Sequence, residues 1–137
     1  MTERHMQIGE VAERTSLSLR TIRYYEEVGL VLPSARSQGR FRLYTENDVE
    51  RLTLVKRMKP LEFSLEEMRD LLDVVDALAS PDLSASRRKA LLGKLALYRD
   101  IADSRVEGLR NQLDSAESFA AGLRAHEARQ TTRTGRR

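Results

Sequence analysis

The sequence predicts a mainly α fold, a winged helix-turn-helix domain followed by a long dimerisation helix in a coiled coil. Three observations predict it. Two short helical stretches near the N-terminus are separated by the polar break Thr15-Ser16-Leu17-Ser18. A segment rich in turn formers then leads into the alternating run Arg40-Phe41-Arg42-Leu43-Tyr44. Finally, no proline interrupts the chain from about Ser86 to Ala128, where apolar residues recur every three or four positions.

The first helix is read from Ile8, Val11 and Ala12, which recur at helical spacing. Ser18 is placed to cap a second helix whose inner face carries Ile22 and Tyr25, and Gly29 stands where a helix end needs a left-handed residue. Pro33, Ser34, Ser37 and Gly39 mark a loop region. Two short strands joined at Ser37-Gln38-Gly39 then form a hairpin, or wing. Thr45 with Asp48 caps a third helix in a shortened variant of the capping box, and Pro60 ends it. Ser64-Leu65-Glu66-Glu67 is a full capping box for a fourth helix, with Met68, Leu71, Leu72, Val75 and Leu78 on its apolar face. In the long helix, Leu91, Leu95, Tyr98, Ala102, Val106, Leu109, Leu113, Ala116, Ala120 and Leu123 form a coiled-coil stripe with one stutter around Ala102. A helix of about 40 residues would be about 60 Å long, and its stripe must be covered. A second copy of the same helix is the economical cover, which predicts a homodimer. The expected organisation is a winged helix-turn-helix domain over residues 1–79, a linker and coiled-coil dimerisation helix over 80–128, and a disordered basic tail over 129–137.

Composition excludes several classes of function. The chain has 137 residues, a formal net charge of +3 and no cysteine. Disulfides, thiolate metal sites and iron–sulfur clusters are therefore excluded. Its two histidines, His5 and His126, lie near the ends and predict neither a metal site nor acid–base catalysis. No nucleophile elbow, zinc-protease helix, phosphate-binding loop or dinucleotide fingerprint occurs, so no enzyme and no cofactor is expected. No run approaches a membrane span and no signal-peptide core is present, so a cytoplasmic location is expected. Charge is uneven: net +3 over residues 1–60, −4 over 61–123 and +4 over 124–137.

The basic residues point to double-stranded DNA. Arg20, Thr21, Arg23 and Tyr24 crowd the outer face of the second helix. A guanidinium fork matches guanine O6 and N7 in the major groove, or a phosphate. Tyrosine hydroxyls fix register on phosphates, and Ser18 offers a hydroxyl at a helix N-terminus. Arg36, Arg40 and Arg42 place long cations on the hairpin, where they can follow the backbone or enter a minor groove. Charge on a solvated helix or an exposed strand edge is also common in proteins that bind nothing. The order helix, turn, basic helix, basic hairpin is what favours DNA.

At this point the motifs become recognisable. Ile8-Gly9-Glu10-Val11-Ala12, Thr21-Ile22-Arg23-Tyr24-Tyr25-Glu26, Gly29-Leu30-Val31, Gly39-Arg40-Phe41-Arg42-Leu43-Tyr44 and Phe63-Ser64-Leu65-Glu66-Glu67 together resemble the MerR family of bacterial transcription regulators. The resemblance covers roughly residues 6–78 and continues as architecture through the long helix. It implies a dimer joined by antiparallel long helices on a palindromic promoter with an overlong spacer. An effector would let the dimer bend and undertwist that DNA for RNA polymerase. It implies base or phosphate contacts by Arg20 and Arg23, and backbone contacts by Ser18, Tyr24, Arg42, Tyr44 and Lys59. Two features depart from the family. Glu62 stands where glycine is usual, so the turn before Phe63 is expected to differ. The cysteines of the metal and redox sensors are missing, and at this length the large drug-binding domain of some relatives is not expected. What remains is an organic ligand or no ligand; Phe63, Tyr98 and Phe119 are the aromatic candidates to line a pocket, although core or coiled-coil packing is the better explanation of all three. An effector-free repressor or architectural DNA-binding protein is the alternative reading, and a protein-interaction module is a further one.

Overall fold

The computed structural model describes residues 4–135 and forms two compact units, residues 4–96 and 97–135. Its elements are β1 (Met6–Gln7), α1 (Ile8–Thr15), α2 (Leu19–Glu27), β2 (Ala35–Arg36), β3 (Arg42–Tyr44), α3 (Glu46–Met58), α4 (Leu65–Leu78) and α5 (Ala85–Gly135). A short 3₁₀ turn, Lys59–Leu61, follows α3.

In the first unit, α1 ends at Ser16, whose backbone is left-handed. Thr15 braces this turn by donating its hydroxyl to the Val11 carbonyl (2.8 Å) and accepting from Leu17 N–H (3.3 Å). Ser18 caps α2, accepting from Thr21 N–H at 3.0 Å. The other end of α2 closes in a Schellman motif: Leu30 N–H reaches the Tyr25 carbonyl (2.8 Å) and Gly29 N–H reaches that of Glu26 (3.0 Å). Gly29 has φ 73°, the conformation glycine adopts without penalty.

The sheet has strand order β1-β3-β2, antiparallel throughout, with Met6 opposite Tyr44 and Arg36 opposite Arg42. β1 was not expected, because two residues are too few to show an alternating pattern. The hairpin turn runs Ser37 to Arg40, with Arg40 N–H on the Ser37 carbonyl (2.8 Å) and Ser37 N–H on that of Phe41 (3.0 Å). The left-handed residue of this turn is Arg40 (φ 63°).

Complete capping boxes start α3 (Thr45 with Asp48) and α4 (Ser64 with Glu67). Asp48 also accepts from Ser34, which ties the loop before β2 to the start of α3. Between α3 and α4, Glu62 adopts φ 61° and ψ 33°. The expectation that this turn would differ is therefore corrected: the left-handed geometry is kept by a non-glycine residue. On α4 the inward residue is Val74, at 2% exposure, while Val75 faces outward, one position away from the expected stripe.

The core gathers Val11, Ile22, Val31, Leu52, Val55 and Leu72, all essentially inaccessible. Each such side chain contributes about 1.5–3 kcal/mol on burial. Polar ties join the elements around it. Arg14 pairs with Glu46, Lys56 Nζ donates to the Thr15 carbonyl (2.8 Å), and Arg69 donates to the Val28 carbonyl (2.8 Å). Arg51 pairs with Asp76 across α3 and α4.

Ser84 caps the start of α5, accepting from Arg87 N–H at 3.1 Å. The first unit takes in α5 up to Ala96, past the boundary expected at residue 79. In the second unit the helix continues to Gly135, and Thr131, Thr132 and Thr134 each donate to the carbonyl four residues back. The expected disordered tail is thus helical as far as Gly135. Arg136 and Arg137 lie outside the described residues. No described helix is long and apolar enough to cross a membrane.

Candidate nucleic-acid interface

The α1–α2 turn fixes which face of α2 turns outward. Ile22 and Tyr25 are buried, so Arg20, Arg23 and Tyr24 are exposed by helical periodicity, Tyr24 at 46%. Ser18 accepts from Thr21 N–H and donates to Thr21 Oγ1 (2.8 Å), which presents both residues at the helix start. The Tyr24 and Tyr25 rings tilt at 50° with centroids 5.8 Å apart.

Lys59 begins the turn after α3 and is exposed. It shares an open hollow of about 430 Å³ with Arg20, Thr21, Tyr24, Phe63 and Met68. The hollow brings four of the expected contact residues, Arg20, Thr21, Tyr24 and Lys59, to one place. Its floor is apolar: Met68 is 4% exposed and Phe63 8%. Among the described residues, Arg20, Arg23, Arg40 and Lys59 have no ion-pair partner. Their positive charge is open to an anion.

The other two hairpin arginines differ. Arg36 Nη2 donates to Glu26 Oε1, and Arg42 Nε donates to Glu26 Oε2. Both are engaged by one carboxylate on the last turn of α2. In the sequence Glu26 stands out only as part of a motif. The signal that could have found it is an acid on a basic helix, followed by two cations across a hairpin that need a counter-charge.

Tyr44 corrects the expected backbone contact. Its side chain is fully buried and its hydroxyl has no hydrogen-bond partner. Burial, and next the Glu26 carboxylate, push its phenol above the ordinary value. Its position on β3 opposite Met6 turns it into the core, where it cannot reach DNA. Phe41, by contrast, is 61% exposed at the hairpin end, between Arg40 and Arg42.

Along α5, Leu91 is buried at 2% in the first unit, so its own chain already covers it. This removes it from the expected set of dimer contacts. Leu95, Tyr98, Ala102 and Ala120 are half-buried, while Val106, Leu109, Leu113, Ala116 and Leu123 are exposed. Phe119 is exposed as well. No group of three or more histidine, aspartate or glutamate side chains among the described residues could hold a metal ion.

Comparison with known proteins agrees with this geometry. A family described as "MerR HTH family regulatory protein" matches residues 6–74, and one described as "MerR, DNA binding" matches residues 49–126. The chain is 37% identical over 109 residues to the HTH-type transcriptional regulator CueR of Salmonella typhi, covering 79% of this chain and 76% of that protein. It is 42% identical over 67 residues to the heavy metal-dependent transcription regulator 2 of Rhizobium meliloti, spanning 49% of this chain and 46% of that protein's length. Among solved structures, it resembles a MerR family regulator of Bacillus thuringiensis (TM-score 0.67, 17% identity, 88% of this chain and 97% of that one). It also resembles HiNmlR, a MerR family regulator lacking the sensor domain and bound to promoter DNA (TM-score 0.66, 21% identity, 91% and 94%). At these identities the two structures establish the fold.

Proposed function

The chain belongs to the MerR family of DNA-binding transcription regulators, and from that premise we propose that it binds a palindromic promoter as a homodimer and bends or undertwists it for RNA polymerase. The observation that carries the DNA face is the set of exposed, unpaired cations on α2, the hairpin and the turn after α3. Arg20 and Arg23 read base edges or adjacent phosphates from α2 in the major groove. Thr21, Tyr24 and Lys59 hold the backbone from the hollow, Ser18 does so from the start of α2, and Arg40 from the hairpin.

The dimer is proposed on the α5 stripe. Leu109 and Leu113 are 45% and 57% exposed in a single chain, and an apolar stripe of that length needs a partner. Antiparallel pairing of two α5 helices covers it and sets two DNA faces for two half-sites. Distorting a promoter costs about 1–10 kcal/mol, which contacts at both half-sites offset.

The signal differs in class from that in the name of the Rhizobium meliloti relative. With no cysteine, this chain offers no thiolate to a soft metal. We propose an organic ligand as effector. Such a ligand switches the dimer only by binding the DNA-distorting state more tightly than the resting one.

A gel shift against the gene's own upstream region tests the reading, with a reporter from the same promoter challenged by Zn²⁺, Cu⁺, Hg²⁺ and oxidants. Retarded, competitor-resistant complexes and a reporter indifferent to all four support it. No retardation, or a stoichiometric metal complex that changes promoter output, overturns it.

A further inference from the structure

We propose that the break in heptad spacing at Ala102 marks the two-fold axis of the α5 pair, an inference that deepens the dimer reading above and rests on it. The stripe approaches Ala102 through Leu91, Leu95 and Tyr98 and leaves it through Val106, Leu109 and Leu113. The steps are four, three and four on each side, so two steps of four meet at Ala102. Elsewhere on the stripe steps of three and four alternate, as a left-handed seam requires. Two consecutive steps of four are a stutter, which locally unwinds that seam.

The stutter fixes the register. In an antiparallel pair, an unwound stretch away from the axis lies against a regular stretch of the other helix, at two places. On the axis the two unwound stretches face each other once. Centred on Ala102, the pair sets Ala102 against its own copy, Tyr98 against Val106 and Leu95 against Leu109. Centred on Leu109 instead, Val106 and Leu113 stand three and four positions from the axis and no longer meet. Val106 and Leu109 are exposed in the single chain, whereas Leu95, Tyr98 and Ala102 are half-buried. The bare end of each copy therefore covers the partly sheltered end of the other, and the small Ala102 layer lets the helices approach closely.

Charge agrees with this orientation. Arg99 and Asp103 each follow a stripe residue by one position, so they lie on one flank and straddle the axis. The two-fold sets Arg99 of each copy beside Asp103 of the other. Arg99 is 67% exposed, and its contact with Asp100, at 3.4 Å, joins neighbours that do not face each other on a helix. A parallel pair would instead set Lys94 against Arg99 and Arg105 against Arg110 along the flanks, like charge on like.

Because the chain has no cysteine, single introduced cysteines map the register against a clean background. Each full-length variant is oxidised and run on a non-reducing gel, with light scattering on the reduced sample. A disulfide needs Cα atoms within about 7 Å. Ala102→Cys is expected to convert almost wholly to covalent dimer. Val106→Cys and Leu109→Cys place their Cα atoms about 12 and 21 Å apart along the pair, at about 1.5 Å per residue, and are expected to stay uncrosslinked. Tyr98→Cys co-expressed with Val106→Cys is expected to crosslink although neither does so alone, and this arm does not depend on Ala102→Cys folding. Crosslinking of Leu109→Cys but not Ala102→Cys moves the axis and overturns the proposal while leaving the dimer reading intact. Crosslinking at every single position indicates a parallel pair and overturns it, as does a dimer in which neither Ala102→Cys nor the co-expressed pair crosslinks. A monomer by light scattering contradicts the dimer reading itself, and this register with it.

Discussion

Ser16, Arg40 and Glu62 are the non-glycine residues with left-handed backbone among the described residues, and each ends a turn that the fold requires. The cost is about 1–2 kcal/mol per residue, so tertiary packing must hold them there. At Glu62, whose side chain is exposed, a glycine relieves this strain and gives back part of it as unfolded-state entropy. Glu62→Gly is therefore expected to raise stability by about 0.5–1 kcal/mol in denaturant titration, with DNA affinity unchanged. Tyr44 carries the opposite kind of strain, a buried hydroxyl without a partner. Removing such a group is neutral or stabilising, so Tyr44→Phe is expected to change stability by at most about 1 kcal/mol in the favourable direction. It leaves DNA binding intact, whereas a phosphate-contacting hydroxyl would be missed in a binding titration. Burial also raises the phenols of Tyr44 and Tyr25. Above about pH 10 the unfolded chain loses these protons first, so stability falls with rising pH until the folded phenols also titrate. Thermal melts of Tyr44→Phe over that window are expected to show a shallower decline than wild type.

Helix starts were the most legible elements, because caps are local chemistry. Ser18, Thr45 and Ser64 all cap as their sequence context predicts, and Gly29 closes α2. Ser64→Ala is expected to cost about 1 kcal/mol in a denaturation midpoint measurement. The sheet was less legible. β1 pairs with β3 over two residues, and pairing across the chain leaves no trace in so short a run. The same distance hid the role of Glu26, since its partners lie 10 and 16 residues away. It also misplaced Tyr44, because alternation in the hairpin does not say that β1 and the core close over one face. The basic face of α2 was legible, since Ile22 and Tyr25 fix the inner side and leave Arg20 and Arg23 outside. Arg23→Ala is expected to relax preference at one base pair by about 1–3 kcal/mol, while Lys59→Ala lowers affinity for all sequences and flattens the salt slope by about 0.9. Competition binding with point-substituted duplexes separates the two effects.

At the scale of the whole molecule, the proline-free apolar stripe announced α5, and the helix runs seven residues past the expected end at 128, to Gly135. Polar, basic composition suggested disorder there, but nothing in Gln130–Arg133 breaks a helix once a long one precedes it. The stripe's Leu91 belongs to the first unit's core, so the proposed dimer surface begins later, toward Val106, Leu109 and Leu113. Replacing Leu109 and Leu113 by Asp is expected to yield a monomer by light scattering and to abolish tight DNA binding, since each half-site alone is weak. A hydroxyl-radical footprint on the gene's own upstream region shows whether two copies of this chain grip and distort one palindromic promoter. Two protected half-sites related by a dyad are expected, with a distorted, hyper-reactive centre between them. A single protected half-site, or protection with no altered centre, would contradict it.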